Sequence, residues 1–447
     1  MIANGRHSET ARQLVHMSMG AFALLLRWLA WWEAVLLALA ALGFNLFVLP
    51  AIARGLYRPG DDRRRFHGIV LYPLSVLILL LCFPRRPDIV AAAWGILAIG
   101  DGIATIAGRA MDGPRWPWNR EKTLAGSAAF VVAGGAAAVF LSWWCRPHQL
   151  MTPDLSLWVG AALLAAIVAA LVETIPVRLD DNLSVAFSAA LVLWLGSLVD
   201  STLLHSAWST AAGRLAIALV TNAIVAFAGY RARTVSVSGA VVGAMIGTLI
   251  FAASGWRGWL LLLITFVAAS ASSRLGLHRK TLLGIAEERG GRRGAGNAIA
   301  NTGVAAVCAL LTLVTPQSAF ALLAFVTALA AGGSDTIASE IGKAWGRSTW
   351  SITSLQRVAP GTSGAMSMEG TVAGIAGALV LGIAGSLLGL VPAATVALVV
   401  AGATAGSLLE SWLGATLEAP GILNNDMLNF INTASAAFVA VALARIV

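Results

Sequence analysis

Apolar stretches of bilayer-crossing length follow one another along almost the whole chain, and no other feature of the sequence restricts the fold so tightly. A span needs about 20 predominantly apolar residues. Inside hydrocarbon the backbone must satisfy its own hydrogen bonds, which runs of this length do as helices. Of the residues 58% are hydrophobic and 11% charged, with a mean hydropathy of +0.81, whereas soluble domains carry about 25% charged residues. The pattern predicts an all-α polytopic integral membrane protein with about fifteen transmembrane helices. Two of these are centred near residues 245 and 265. The polar segment Met1 to Arg12 has no cleavable lead-in, so the chain is expected to remain in the membrane.

Net charge is +9, but basic residues in such proteins report topology rather than nucleic-acid affinity. The loops at 54–65, 109–122, 231–233, 274–293 and 343–357, with Arg6, Arg12 and Arg178, hold most of the 30 Lys and Arg. The positive-inside rule then places the N-terminus and these loops in the cytoplasm, in a bacterial inner membrane. Cys82, Cys145 and Cys308 are far apart and lie in or beside apolar runs, with no CxxC and no HExxH, so neither a disulfide framework nor a zinc site is indicated. A bound cation would take carboxylate and phosphate oxygens, which suits Mg²⁺.

A carboxylate near the bilayer centre costs about 2.5–3.5 kcal/mol on insertion scales, yet "LAIGDGIATIAGR" (97–109) sets Asp101 between two glycines in an apolar run. The stretch has a second version. "DGIATIAGR" (101–109) and "DTIASEIGK" (335–343) share Asp, Ile, Ala and Gly in register. Later landmarks keep the same order. Gly126-Ser127, Glu173 and Asp181-Asn182 are matched about 240 residues on by Gly370-Thr371, Glu410 and Asn425-Asp426. By the span count both copies face the same side, as a parallel tandem repeat. The domains are then 1–205 and 206–447, with the junction in 200–214. Shared small-residue composition, such as the Gly239/Gly243/Gly247 spacing of packing helices, is the alternative source of the likeness.

In the first copy, Asp101, Thr105 and Gly108 fall on one helix face, and the flanking glycines clear room for a ligand. The next loop offers Arg109, Arg115, Arg120 and Lys122, then Thr123 and Ser127 at a helix start, a suitable anion site. Glu173 ends a span, and Asp180, Asp181 and Asn182 begin another. Cation ligands, cationic clamps and a phosphate cradle are what Mg²⁺-assisted phosphoryl transfer requires. No Walker or protein-kinase motif is present. The plainer roles are a packing acid paired with Arg109 or Arg178, a helix cap at 180–182, topology signals for the cations, and interfacial anchoring for Trp116 and Trp118.

In the second copy no lysine matches Lys122. Instead "VAPGTSGAMSMEGT" (358–371) supplies Gly361, Thr362, Ser363, Gly364, Gly370 and Thr371, whose backbone amides can curve around an anion, with Lys343 and Arg357 nearby; a flexible loop would have the same composition. Asp335 and Ser339 share a face, while Glu340 points about 140° away. The basic loop 273–297 either steers nucleotide or holds topology.

Residues 11 to about 200 resemble the polyprenol kinases (dolichol, phytol and farnesol kinases) through "ARQLVHMSMG", "GDGIATIAGR", "NREKTLAGS" and the Glu173 to "DDNL" stretch. The resemblance implies a CTP-dependent kinase of an isoprenoid alcohol with Asp101, Lys122, Glu173 and Asp181 at its site. The same motif style is similar to that of phosphatidate cytidylyltransferase. Residues from about 210 to 447 resemble an integral-membrane family that includes plant phytyl-phosphate kinase. The matching pieces are "RTVSVSGAVVGAMIGTLIF", "GNAIANTGVAA", "GGSDTIASEIGK", "ITSLQRVAPGTSGAMSMEGTVAG" and "GSLLESWLGATLEAP" followed by "NNDMLNFINT". Glu410 stands where that family's pattern has Asp.

The expected activity is therefore two-step: the first half makes an isoprenyl monophosphate and the second the diphosphate, from CTP with Mg²⁺. Expected catalytic residues are Asp101, Lys122, Glu173, Asp181, Asp335 and Glu410. Arg109, Thr123, Ser127, Asn182, Lys343, Arg357, Asn425 and the 361–371 loop residues bind nucleotide or phosphate. Asp101, Asp181, Asp335 and Asp426 hold metal. The partners are the lipid alcohol and the nucleoside triphosphate, with no nucleic acid. Two other activities use the same features: CTP-dependent cytidylyl transfer to a lipid, and transport.

Overall fold

The computed structural model describes residues 12–52, 68–111, 113–147, 154–285, 292–418 and 420–446. Arg6, the basic loop at 54–65 and residues 286–291 of the long basic loop lie outside the described residues. The chain divides into two compact units, Met1–Leu198 and Val199–Val447.

Among the described residues, eleven helices are long and apolar enough to cross a membrane. The expectation was about fifteen. In the first unit they are α1 (Trp31–Ala51), α3 (Pro87–Ala110), α4 (Leu124–Trp144) and α5 (Leu155–Glu173), with two shorter apolar helices, α2 (Gly68–Cys82) and α6 (Asp181–Gly196). In the second they are α7 (Ser201–Arg231), α8 (Val237–Arg274), α9 (Ala295–Val314), α10 (Ser318–Trp345), α11 (Met368–Leu387), α12 (Ala393–Glu418) and α13 (Asn425–Ala444).

The difference in count has physical causes. Over the described residues α2 and α6 have 15 and 16 residues, short of the about 20 that a full crossing takes. The run centred near residue 21 winds partly as a tight 3₁₀ helix, Gly20–Arg27. The two runs centred near 245 and 265 belong to one 38-residue element, about 57 Å long if straight. It is broken at Gly255, whose φ of 69° and ψ of −168° are open only to glycine at low cost. Arg214 of α7 donates to the carbonyls of Ala252 and Ala253 at 3.3 and 3.1 Å, satisfying acceptors that the break releases.

Each unit has its own apolar core. In the first, α3 is the central element, with Val90, Ala91, Ala92, Ala93 and Ile96 fully buried among α4, α5 and α6. In the second, α10 holds that place, with Phe325, Val326, Ala328 and Leu329 fully enclosed. Outward faces are apolar as well: on α7, Ile217, Val220, Ile224 and Phe227 are exposed. Such a surface suits hydrocarbon, and the protein is an integral membrane protein. One departure from an all-helical chain is a two-stranded antiparallel ribbon, β1 (Thr349–Ser351) on β2 (Ala365–Ser367), with Thr349 opposite Ser367.

Candidate functional site

In unit 1, α3 changes from α to the wider π winding over Ile96–Asp101, so that Asp101 sits where the regular helix resumes. The glycines beside it do not clear ligand space, as the sequence implied. A Cβ on Gly100 would lie 3.0 Å from the Phe130 ring of α4, and one on Gly102 would lie 2.3 Å from Met17. They let α4 and the helical residues 12–19 close on Asp101. His16 Nε2 stands 3.7 Å from Asp101 Oδ2. Its ring packs edge-on against Tyr72, whose hydroxyl accepts from Trp94 Nε1 at 2.7 Å.

The loop after α3 brings in the cation. Trp116 N donates to the Lys122 carbonyl at 3.1 Å and Leu124 N to Pro114 at 2.8 Å, which closes the loop on itself. Trp116 Nε1 then reaches Ser127 Oγ at 2.9 Å, Trp118 Nε1 reaches Thr174 Oγ1 at 3.1 Å, and Asn119 Nδ2 the Thr174 carbonyl at 3.1 Å. The two tryptophans thus strap the loop to the start of α4 and the end of α5. Lys122 Nζ donates to Glu173 Oε1 at 2.5 Å and to Asp181 Oδ2 at 3.2 Å. Burial opposes the Lys122 charge, but Glu173 first and Asp181 next outweigh it and hold its pKa above the ordinary lysine value.

Asp101, Glu173 and Asp181 offer carboxylate oxygens within 4.8 Å of one another, from α3, α5 and α6. Glu173 is 4% exposed. Three hard oxygen donors at this spacing, with one lysine between two of them, fit Mg²⁺ or a similar divalent cation. Of the phosphate binders expected from sequence, Thr123 caps α4 by accepting from Gly126 N at 3.0 Å, and Ser127 accepts from Trp116. Asn182 donates to Asp180 Oδ1 at 2.6 Å. Arg109 is exposed near the end of α3.

Unit 2 contains a polar cavity of about 590 Å³. Asp335, Lys343, Gly361, Thr362, Ser363, Gly364, Gly370, Thr371, Glu410 and Asn425 all line it. Asp335 of α10 lies beside Glu410 and Ser407 of α12, all three lining the cavity, and Asn432 Nδ2 of α13 donates to Glu410 Oε2 at 2.7 Å. Gly364 has a φ of 70°, and a Cβ there would lie 2.3 Å from the Ser411 carbonyl and 2.4 Å from Ala415 N. The loop therefore presses directly on the end of α12. Two expected residues are elsewhere. Arg357 is stacked over the Trp350 ring at 5.2 Å and does not line the cavity. Asp426 is packed against Gly296 of α9, where a Cβ would meet its Oδ2 at 2.1 Å. Glu340, expected to point away from Asp335, is buried in ion pairs with Lys280 and Lys343.

The two units repeat one local geometry. In each, a glycine in the first turn of a helix meets a long helix that carries the aspartate. A Cβ on Gly126 would lie 3.0 Å from the Ala104 carbonyl and 3.4 Å from Gly108 Cα, and a Cβ on Gly370 would lie 2.7 Å from the Ala338 carbonyl and 3.2 Å from Gly342 Cα. Thr123 accepts from Gly126 N at 3.0 Å, and Ser367 from Gly370 N at 3.1 Å. Sequence reading overlooked His16, Asn301 and Asn432. All three were signalled only by lying in quoted stretches, His16 in "ARQLVHMSMG", Asn301 in "GNAIANTGVAA" and Asn432 in "NNDMLNFINT". Asn301 Oδ1 and Asn432 Oδ1 are buried without a hydrogen-bond partner.

Residues 220–437 match the family described as integral membrane protein DUF92. An uncharacterized membrane protein of Synechocystis is 39% identical over 202 residues, covering 44% of this chain and 78% of that protein. The chloroplast protein VTE6 of Arabidopsis thaliana is 33% identical over 47% of this chain and 66% of its own length. A protein of Glycine max named probable phytol kinase 3 is 32% identical over 42% and 62%. The matched region is thus under two thirds of either plant relative. No solved structure matches the chain. This chain belongs to the DUF92 family of integral membrane proteins and has relatives that carry the names VTE6 and phytol kinase.

Proposed function

We propose that this protein phosphorylates an isoprenoid alcohol twice, unit 1 forming the monophosphate and unit 2 the diphosphate, with CTP as donor and Mg²⁺ as cofactor. The observation that carries this reading is the meeting of Asp101, Glu173 and Asp181 within 4.8 Å, with Lys122 bridging two of them. Phosphoryl transfer asks the protein chiefly for position and charge compensation. The carboxylates would hold Mg²⁺, which when bound offsets the charge of the nucleotide phosphates. Lys122 is fixed by two acids and held protonated, so it faces the transferring phosphate as a permanent cation. In the reaction the alcohol oxygen bonds to the γ-phosphorus, the bond from that phosphorus to the β-bridging oxygen breaks, CDP leaves, and the hydroxyl proton passes to a carboxylate of the cluster.

The second transfer brings an anionic acceptor to an anionic donor. The unit 2 cavity suits this by its size, by Lys343, and by the glycine- and hydroxyl-rich loop 361–364. The matched Gly126 and Gly370 contacts, with their Thr123 and Ser367 caps, support descent of the halves from one repeated unit, and hence one chemistry in both. The domain boundary near residue 205 and a cytoplasmic placing of both sites in an inner membrane go with this reading.

The test is product analysis of the purified protein in lipid vesicles, with farnesol or phytol and CTP labelled at the α-phosphate. Labelled CDP with no label on the lipid is expected. Label on the lipid with release of pyrophosphate would instead mean cytidylyl transfer, and alcohol movement across the vesicle without CTP consumption would mean transport.

A further inference from the structure

Unit 2 holds a second cavity that none of the chemistry above uses. A groove of about 130 Å³ lies between α7, both limbs of α8, α9 and α10. Its walls are apolar and partly made of small residues, among them Ala226, Gly229, Gly243, Leu262 and Phe266. At one end Asn222 is already satisfied, accepting from Trp259 Nε1 at 3.0 Å and donating to the Ala218 carbonyl at 2.8 Å. The other end is different. Arg293, Asn297 and Asn301 line both this groove and the polar cavity that contains Asp335. Asn301 is 9% exposed, and its Oδ1 has no hydrogen-bond partner. An unpaired buried acceptor is costly, so its place at the junction points to a donor supplied by a ligand.

The occupant must be apolar along its length and polar at one end. We infer that the groove seats the isoprenoid chain of the acceptor while its phosphate head passes Arg293, Asn297 and Asn301 into the polar cavity. This rests on the reading of unit 2 as an isoprenyl-monophosphate kinase. The protonated or metal-bound head would meet Asn301 Oδ1, and Arg293 would meet the anionic oxygens. Gly243 lines the groove, and an added Cβ there would meet nothing within 4 Å, so a larger side chain at this position meets no packed interface.

Two measurements test the assignment. In the first, Gly243→Leu is compared with wild type on C5 and C20 isoprenyl monophosphates with CTP. The ratio of kcat/KM for C20 over C5 should fall by at least about tenfold, since displaced methylenes lose their burial; an unchanged ratio overturns the proposal. In the second, a C20 isoprenyl monophosphate with a diazirine near the end of its chain is photolysed on wild-type protein in vesicles. Adducts are expected on the α7 and α8 residues that wall the groove, and adducts confined to other surfaces overturn it. Groove adducts on a protein that transfers no phosphate would uphold the chain site and remove the kinase reading, so the two failures are distinguishable.

Discussion

Asp101→Asn removes one negative charge from a group in which three carboxylates approach within 4.8 Å and one lysine is shared by two. At that separation and an effective dielectric constant of about 20, each like-charge pair repels by about 3.5 kcal/mol. Asp101 takes part in two such pairs, and its attraction to Lys122 offsets about one of them. Asp181 is 42% exposed at its side chain, so solvent screening reduces the remainder to about 1–2 kcal/mol. The metal-free variant should therefore be the more stable protein. With about 2–4 °C per kcal/mol for a unit of this size, its Tm in EDTA should rise by about 2–8 °C. Mg²⁺ reverses the order. A ligand at a hundred times its Kd stabilises by about 2.7 kcal/mol, so wild type should gain about 5–10 °C with Mg²⁺ and Asp101→Asn little. The assay is intrinsic-fluorescence melting in detergent or nanodiscs. A wild-type Tm that ignores Mg²⁺, or a variant that melts lower than wild type in EDTA, would rule out a mutually repelling, cation-binding carboxylate cluster.

Lys122→Met should lower the Tm by an amount that stays constant from about pH 7 to 10. A raised lysine pKa contributes stability that is full below the unfolded value of about 10.4 and is lost only as pH rises through the folded one; thermal melts across pH check this. Lys280→Met should cost about 3 kcal/mol, because it strips a cation from Glu340, which is 2% exposed. Lys280→Met/Glu340→Leu should recover most of that loss in the same denaturation assay. Gly364→Ala should destabilise unit 2 by about 2 kcal/mol or more, given its positive φ and the 2.3 Å approach to the Ser411 carbonyl. It should also weaken CTP binding, measured by calorimetry.

What could be read in the sequence follows from how strongly each feature is dictated locally. Asp101, Lys122, Glu173 and Asp181 were identifiable because charged residues in or beside apolar spans are costly enough to mark themselves. In the structure Glu173 ends α5, Asp181 begins α6, Asp101 lies within α3 and Lys122 in the loop that follows it. Orientation about a helix axis was not legible in the same way. Asn425 and Asp426 are neighbours, yet successive residues point about 100° apart, and only Asn425 reaches the cavity. Arg357 had an aromatic ring within reach and lies on Trp350 instead of facing the cavity. The tryptophans at 116 and 118 look like interfacial anchors by composition, but their indole N–H groups are committed to Ser127 and Thr174. Asn301 lies in the quoted "GNAIANTGVAA" but did not stand out there, because amides occur in membrane helices for packing as well as for binding. Among the described residues fewer helices have full crossing length than the sequence has apolar runs, because hydropathy registers apolar length without winding: a 3₁₀ segment and helices of 15 and 16 residues count the same as full crossings.

The division of labour between the units is tested most directly by following labelled isoprenol with CTP through Asp101→Asn and Asp335→Asn. The first variant should form no monophosphate yet convert supplied monophosphate to diphosphate, and the second should accumulate monophosphate. Loss of both steps in both variants, or diphosphate formation that survives Asp335→Asn, would contradict it.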